Sequence, residues 1–81
     1  MPRYFFDLLD EIVAIDDEGA DLPDLQSALA RAREEVRVLA GESIIIHGRL
    51  VLGDHVRVRD AEGETVATVR FGDVIRIQDT R

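Results

Sequence analysis

The stretch LQSALARAREEVRVLAG, residues 25–41, places apolar side chains at Leu25, Leu29, Ala32, Val36 and Leu39, at intervals of four and three. At 100° per residue this spacing gathers them into one stripe, which predicts an amphipathic helix that docks by that stripe. Arg31 with Glu35 and Glu34 with Arg37 stand at helical spacings on its flanks, where exposed pairs contribute about 0.2–0.5 kcal/mol each. Residues 1–81 are expected to form a single domain. A chain this short buries a little over about 60% of the surface its unfolded form exposes, which argues against a large enclosed substrate cavity.

On either side of the helix the pattern changes to that of strands. RYFFDLL (3–9) is aromatic and apolar, and EIVAID (11–16) is β-branched with an acidic end. Together they read as a hairpin turning near Asp10 and Glu11. Tyr4, Phe5 and Phe6 are core candidates, since aromatic rings supply much of a small domain's buried area. Asp7 is expected on the solvent face of an alternating strand; among buried rings its pKa would instead rise. HVRVRDAEGETVATVRF (55–71) reads as a second hairpin, in which Asp60 to Gly63 form a type I turn closed by a left-handed glycine. That turn sets Val58 opposite Val66 and Arg57 opposite Ala67. It buries Val56, Val58 and Val66 and leaves His55, Arg57 and Arg59 in a row on the other side. Phe71 to Ile77 is either a last short strand or a turn folding back over the sheet.

The acidic connection DDEGADLPD (16–24) leads into the helix. Gly19 permits a positive φ, Pro23 holds Leu22 extended, and Asp24 is placed to cap the helix N-terminus, with Asp21 adding negative charge near the positive end of its dipole. The spacing of acids does not match the alternating oxygen ligands of a calcium loop.

Residues 41–53, GESIIIHGRLVLG, admit two structures. As a hairpin, Ile44, Ile45 and Ile46 pair with Leu50, Val51 and Leu52 across His47, Gly48 and Arg49. As helix, the stripe continues through Ser43 to Ile46, and Gly48 follows the C-cap. The helix absorbs Gly41 at about 1 kcal/mol relative to alanine and three β-branched residues at a few tenths each. Burying Ile46 would return about 1.5–3 kcal/mol, so the two costs are comparable.

A resemblance separates them. The opening MPRYFFDLLD, the ID-DEG-ADLPDLQSALARAREEV core and the closing GRLVLGDHVRVRDAEGETVATVRFGDVIRI resemble a family of short bacterial proteins of unknown function, common in alphaproteobacteria. These open with an M-P-R-Y-F/Y-F strand, carry a D-E-G…L-P-D junction into a helix and end with an E-V-x-D-x-x-G-R hairpin. The resemblance covers nearly the whole chain and implies that the central helix runs into the G-R-L segment, hence over residues 24–47. Gly41 and the isoleucine run depart from the alanine-rich, charged helix end usual there. The family brings no catalytic residue. The expected fold is α+β: an antiparallel β-sheet of two hairpins in the order ββαββ, with one long amphipathic helix on one face.

On such a helix Ile46 lies on the flank of the core stripe. Val38 and Ile45, seven residues apart, point the opposite way, either as stray surface apolars or as a second seam covered by a partner, in the first instance another copy of the chain. The row His55, Arg57 and Arg59 is a solvated face paired with Glu64, Asp60 or Asp73; as a functional surface it would hold an acidic partner segment, including the N-terminal loop of another subunit, or RNA.

Charge weighs against the last. The net charge is −7, and residues 1–24 hold eight acids against Arg3 alone. Nucleic acid usually selects a net basic face. There is no cysteine, so neither a disulfide framework nor a thiolate metal site is available. His47 and His55, the two imidazoles, lack metal-ligand spacing, and His47 is accounted for by the helix dipole at a C-terminus. Ser27, Ser43 and the threonines show no nucleophile motif. No apolar run approaches the roughly 20 residues of a membrane span, and the start lacks a secretory signal pattern.

The expectation is therefore a cytoplasmic, non-enzymatic interaction module, homodimeric or bound to a protein partner, with no cofactor, membrane or nucleic acid. A second reading comes from layout: the strand, hairpin, L-P-D-like junction and helix are similar to the antitoxin half of a HicA/HicB-type pair, which implies an inhibitor or regulator of a partner protein. Likeness of layout does not fix function.

Overall fold

Asp24 caps the helix as its sequence position predicts: its carboxylate accepts the Ser27 N–H at 2.8 Å. A computed structural model describes residues 1–80. The strands are β1 (Arg3–Leu9), β2 (Val13–Ala14), β3 (Ala20–Asp21), β4 (His55–Arg59) and β5 (Thr65–Arg70), and the helices α1 (Leu25–His47) and α2 (Phe71–Val74). α1 ends at Gly48, whose φ of 64° lets its N–H reach the Ile44 carbonyl at 2.9 Å. The structure thus selects the helical alternative for the isoleucine run and dispenses with the hairpin.

All pairings are antiparallel, with β1 and β4 central and β5 at one edge. The other edge is shared: β2 pairs with the end of β1 (Leu8 with Ala14) and β3 with its start (Arg3 with Asp21). β3 arises from the acidic connection, expected as a turn-rich loop. Arg3 fixes it by donating through Nε and Nη2 to the Asp21 carboxylate, and the Leu22 N–H reaches the Pro2 carbonyl. The expected α+β architecture stands, with this additional strand ahead of α1.

α1 lies across one face of the sheet. Its completely buried or nearly buried residues are Ala28, Ala32, Val36 and Ala40, packed against Tyr4, Val56, Val58, Val69 and Phe71. These four helix positions are spaced by four, an i±4 ridge inclined to the helix axis. The expected stripe holds at Ala32 and Val36 and is corrected elsewhere: Leu29 and Leu39 flank the ridge, and Leu25 at the start of α1 is exposed. Small side chains occupy the line of closest approach because the sheet's valines and aromatic rings already fill the layer between them.

The second hairpin is shifted from its expected register. Val58 pairs with Ala67 and Arg57 with Thr68, because a bulge between Val58 and Arg59 adds one residue to β5. Val69 rather than Val66 therefore joins the core, and Val66 is exposed. The segment after β5 is the fold-back alternative: Phe71 is buried at the start of the single-turn α2, and Val74 and Ile75 pack against the core.

Candidate interaction surfaces

Alternation along β1 sends Tyr4, Phe6 and Leu8 toward α1 and Phe5, Asp7 and Leu9 to the opposite, outer face. The register places Arg59 beside Phe5, Arg57 beside Asp7 and His55 beside Leu9. Asp7 is completely buried although no helix covers this face. Arg57 donates from Nε and Nη2 to its Oδ2 at 3.0 and 2.9 Å, and Arg59 donates to both carboxylate oxygens at 2.6 and 3.0 Å. The Asp16 N–H adds a donor at 2.9 Å. Arg59 also reaches the Asp16 carbonyl and lies 5.0 Å from the centre of the Phe5 ring.

Asp16 completes the arrangement where β1 lacks a strand neighbour, between its pairings with β3 and β2. The Asp16 carboxylate accepts the Phe6 N–H at 3.1 Å, satisfying a backbone donor left between those pairings, and also the N–H groups of Glu18 and Gly19. Gly19, with a φ of 71°, packs so closely that a Cβ there would come within 2.8 Å of the Tyr4 carbonyl oxygen. The loop is therefore pinned over the buried carboxylate by both its hydrogen bonds and a missing side chain.

Burial alone would raise the Asp7 pKa, but the hydrogen bonds from Arg59, the Asp16 N–H and Arg57 outweigh it and lower it to about 2. Burial likewise opposes ionisation of Asp16, and the N–H donors of Gly19, Phe6 and Glu18 hold its pKa below the ordinary carboxylate range. The hydrogen bond to Asp7 pushes the Arg59 pKa up. At neutral pH Asp7 is an anion with its oxygens taken by donors, so it ties β4 and the 16–19 loop to β1 and has no proton to supply to a reaction. The expectations for this face are corrected: Asp7 is buried, with its pKa lowered, and Arg57 and Arg59 pair with it rather than with Glu64, Asp60 or Asp73. Asp60 instead caps its own turn, accepting the Glu62 and Glu64 N–H groups.

The other candidate residues lie on the far side of the molecule. Twenty-three residues of helix rise about 34 Å, longer than the about 23 Å spanned by the seven residues of β1. Ile44, Ile45 and Ile46 are 51%, 84% and 69% exposed, so the burial expected for Ile46 does not occur. Val38 is 57% exposed on the face away from the sheet, in line with Ile45. Val38 and Ile45 can form one surface; His55, Arg57 and Arg59 belong to another.

Beside the C-terminal end of α1 lies an open cleft of about 300 Å³ lined by Asp10, Glu11, Ile12, Ser43, His47, Arg49, Val51 and Asp54. Ser43 Oγ donates to the Arg49 carbonyl at 2.7 Å and Arg49 pairs with Glu11 at 2.9 Å, tying the returning chain to both helix and hairpin. Burial and the Asp10 charge push the Asp54 pKa up. Among the described residues no three His, Asp or Glu side chains are grouped to hold a metal ion, and no helix is long and apolar enough to cross a membrane.

Sheet, helix and satisfied charge cluster define a small α+β domain whose most exposed special feature is apolar. The family follows from comparison: the model described as "Domain of unknown function (DUF6894)" matches residues 3–72, from β1 into α2, and the chain belongs to that family. No curated protein and no solved structure matches the chain.

Proposed function

We propose that this chain is a non-enzymatic protein contact module that works through the free face of α1. The observation that carries the reading is the exposure of Val38 and Ile45, 57% and 84%, on a helix whose opposite side already supplies the core. Two aligned β-branched side chains beside two further exposed isoleucines make an apolar area that association would remove from water. Among the described residues Asp7 is the one buried charge, and it is already occupied within the fold, since no buried side-chain nitrogen or oxygen there lacks a hydrogen-bond partner.

Tagged full-length chain and its Ile45→Glu variant, compared for the mass of the free chain by light scattering and for the identified proteins each retains, test the reading. Self-association or a defined partner, present in the parent and lost in the variant, is the expected result. A monomeric parent that retains the same proteins as the variant would exclude it. The antitoxin-like reading draws on the exposed acids Asp10, Asp17 and Glu18 at the sheet's edge. It predicts that the retained protein is basic and that its binding weakens with salt.

A further inference from the structure

α1 contains a glycine that its own fold does not use. A Cβ built at Gly41 would meet nothing within 4 Å, and its φ is not positive. Glycine is nevertheless the poorest helix former after proline. Its neighbours on the helix surface are Val38, three residues before, and Ile45, four residues after, both exposed. The same spacing extends backward through Glu34, Arg31 and Ser27. That four-three repeat is the one by which a helix presents a seam to another helix, and a glycine within a seam allows a second backbone to come close.

Resting on the contact-module reading, we infer that the partner is a second copy of this chain, its α1 crossing antiparallel so that Val38 of each copy fills the space above Gly41 of the other. Knob and notch lie three residues apart on one stripe, so a two-fold axis between them exchanges one contact for the other, as an isologous interface requires. The charges choose the direction. A parallel pair would set Arg31 against Arg31 and Glu34 against Glu34 along the seam. The antiparallel pair lays Ile45 over the aliphatic stem of Glu34 and brings Arg31 to the partner helix's C-terminal end at Gly48, the negative end of its dipole.

Sedimentation equilibrium of the full chain should give twice its mass of 9.1 kDa. Gly41→Leu fills the notch and should yield a monomer with unchanged helical circular dichroism. Gly41→Ala should raise the thermal midpoint of the dilute monomer yet weaken association, opposite signs that a purely structural glycine would not produce. Because the chain has no cysteine, Val38→Cys should form a disulfide-linked dimer on oxidation and Ser27→Cys, far from the crossing point, should not. A dimer that survives Gly41→Leu, or one linked equally well through Ser27→Cys, overturns the inference. A monomeric parent that binds a different protein in an Ile45-dependent way overturns it too, while leaving the contact-module reading intact; a monomer with no such partner defeats both.

Discussion

Asp7 and Ile45 occupy each other's customary places. The carboxylate is completely buried on a sheet face that no helix covers, whereas the isoleucine is 84% exposed at the end of the helix that builds the core. Around Asp7 two guanidiniums and a backbone N–H take the place of water as donors. Around Ile45 the fold supplies nothing. Polar chemistry usually marks a working site because it is costly to hold ready. Around Asp7 it is spent on holding strands together, whereas the exposed side of α1 near its end carries apolar side chains.

The largest effect is expected where the charge cluster is broken. Asp7→Ala leaves Arg57 and Arg59 facing each other without their shared anion. Such a loss costs about 3 kcal/mol, the lower end of the range for buried pairs, because both guanidiniums still reach water. Urea unfolding followed by circular dichroism measures it. The parent should show the same dependence through pH. The folded pKa of Asp7, about 2, lies below its ordinary 3.8, so the contribution is fully present above pH 4 to 5 and is lost as pH falls toward 2. It amounts to about 2 kcal/mol at neutral pH. A parent whose stability stays flat down to pH 2, or an Asp7→Ala protein as stable as the parent, would mean that the cluster is ornamental and the contrast with α1 empty.

Two glycines sharpen the comparison with smaller effects of opposite sign. Gly19→Ala forces a side chain onto a positive φ and to within 2.8 Å of the Tyr4 carbonyl, and should cost about 2 kcal/mol. Gly41→Ala enters open space on a helix and should stabilise the dilute chain by up to about 1 kcal/mol. Thermal melts of the two variants at low concentration decide it; two shifts in the same direction would show that the polar loop and the helix face are not under different constraints.

What the residues reveal by themselves divides along the same line. Local features were legible: Asp24 and Gly48 bound the helix where a capping carboxylate and a left-handed glycine should, and Gly19 and Gly63 take the positive φ their turns require. Features set by distant neighbours were not. The fate of Asp7 depends on β1 pairing with β4, fifty residues away, and no periodicity within β1 carries that information. A lone acid in one strand and arginines at alternate positions in another were the available signal, usable once those strands are taken as neighbours. The bulge beside Val58 displaced Val66 from the core. Core depth was hidden in part: Ala32 and Val36 stood in the expected stripe, but Ala28 and Ala40, equally close to the sheet, are alanines that a search for large apolar residues passes over.

The smallest effect on stability should come from the residue with the largest expected effect on association. Ile45→Gln removes a β-branched side chain from a site that is 84% exposed. The helix loses no core contact and gains a slightly better helix former, so the dilute chain should unfold within about 0.5 kcal/mol of the parent. At concentrations where the parent associates, the same substitution should lower the apparent stability of the assembled protein, since a partner that binds only the folded chain stabilises it by mass action. The diagnostic is therefore the dependence of the melting temperature on protein concentration, present in the parent and flattened in Ile45→Gln. Equal melting at every concentration in both proteins would mean that no second copy covers Ile45, and its exposure would then have to be explained by a different protein.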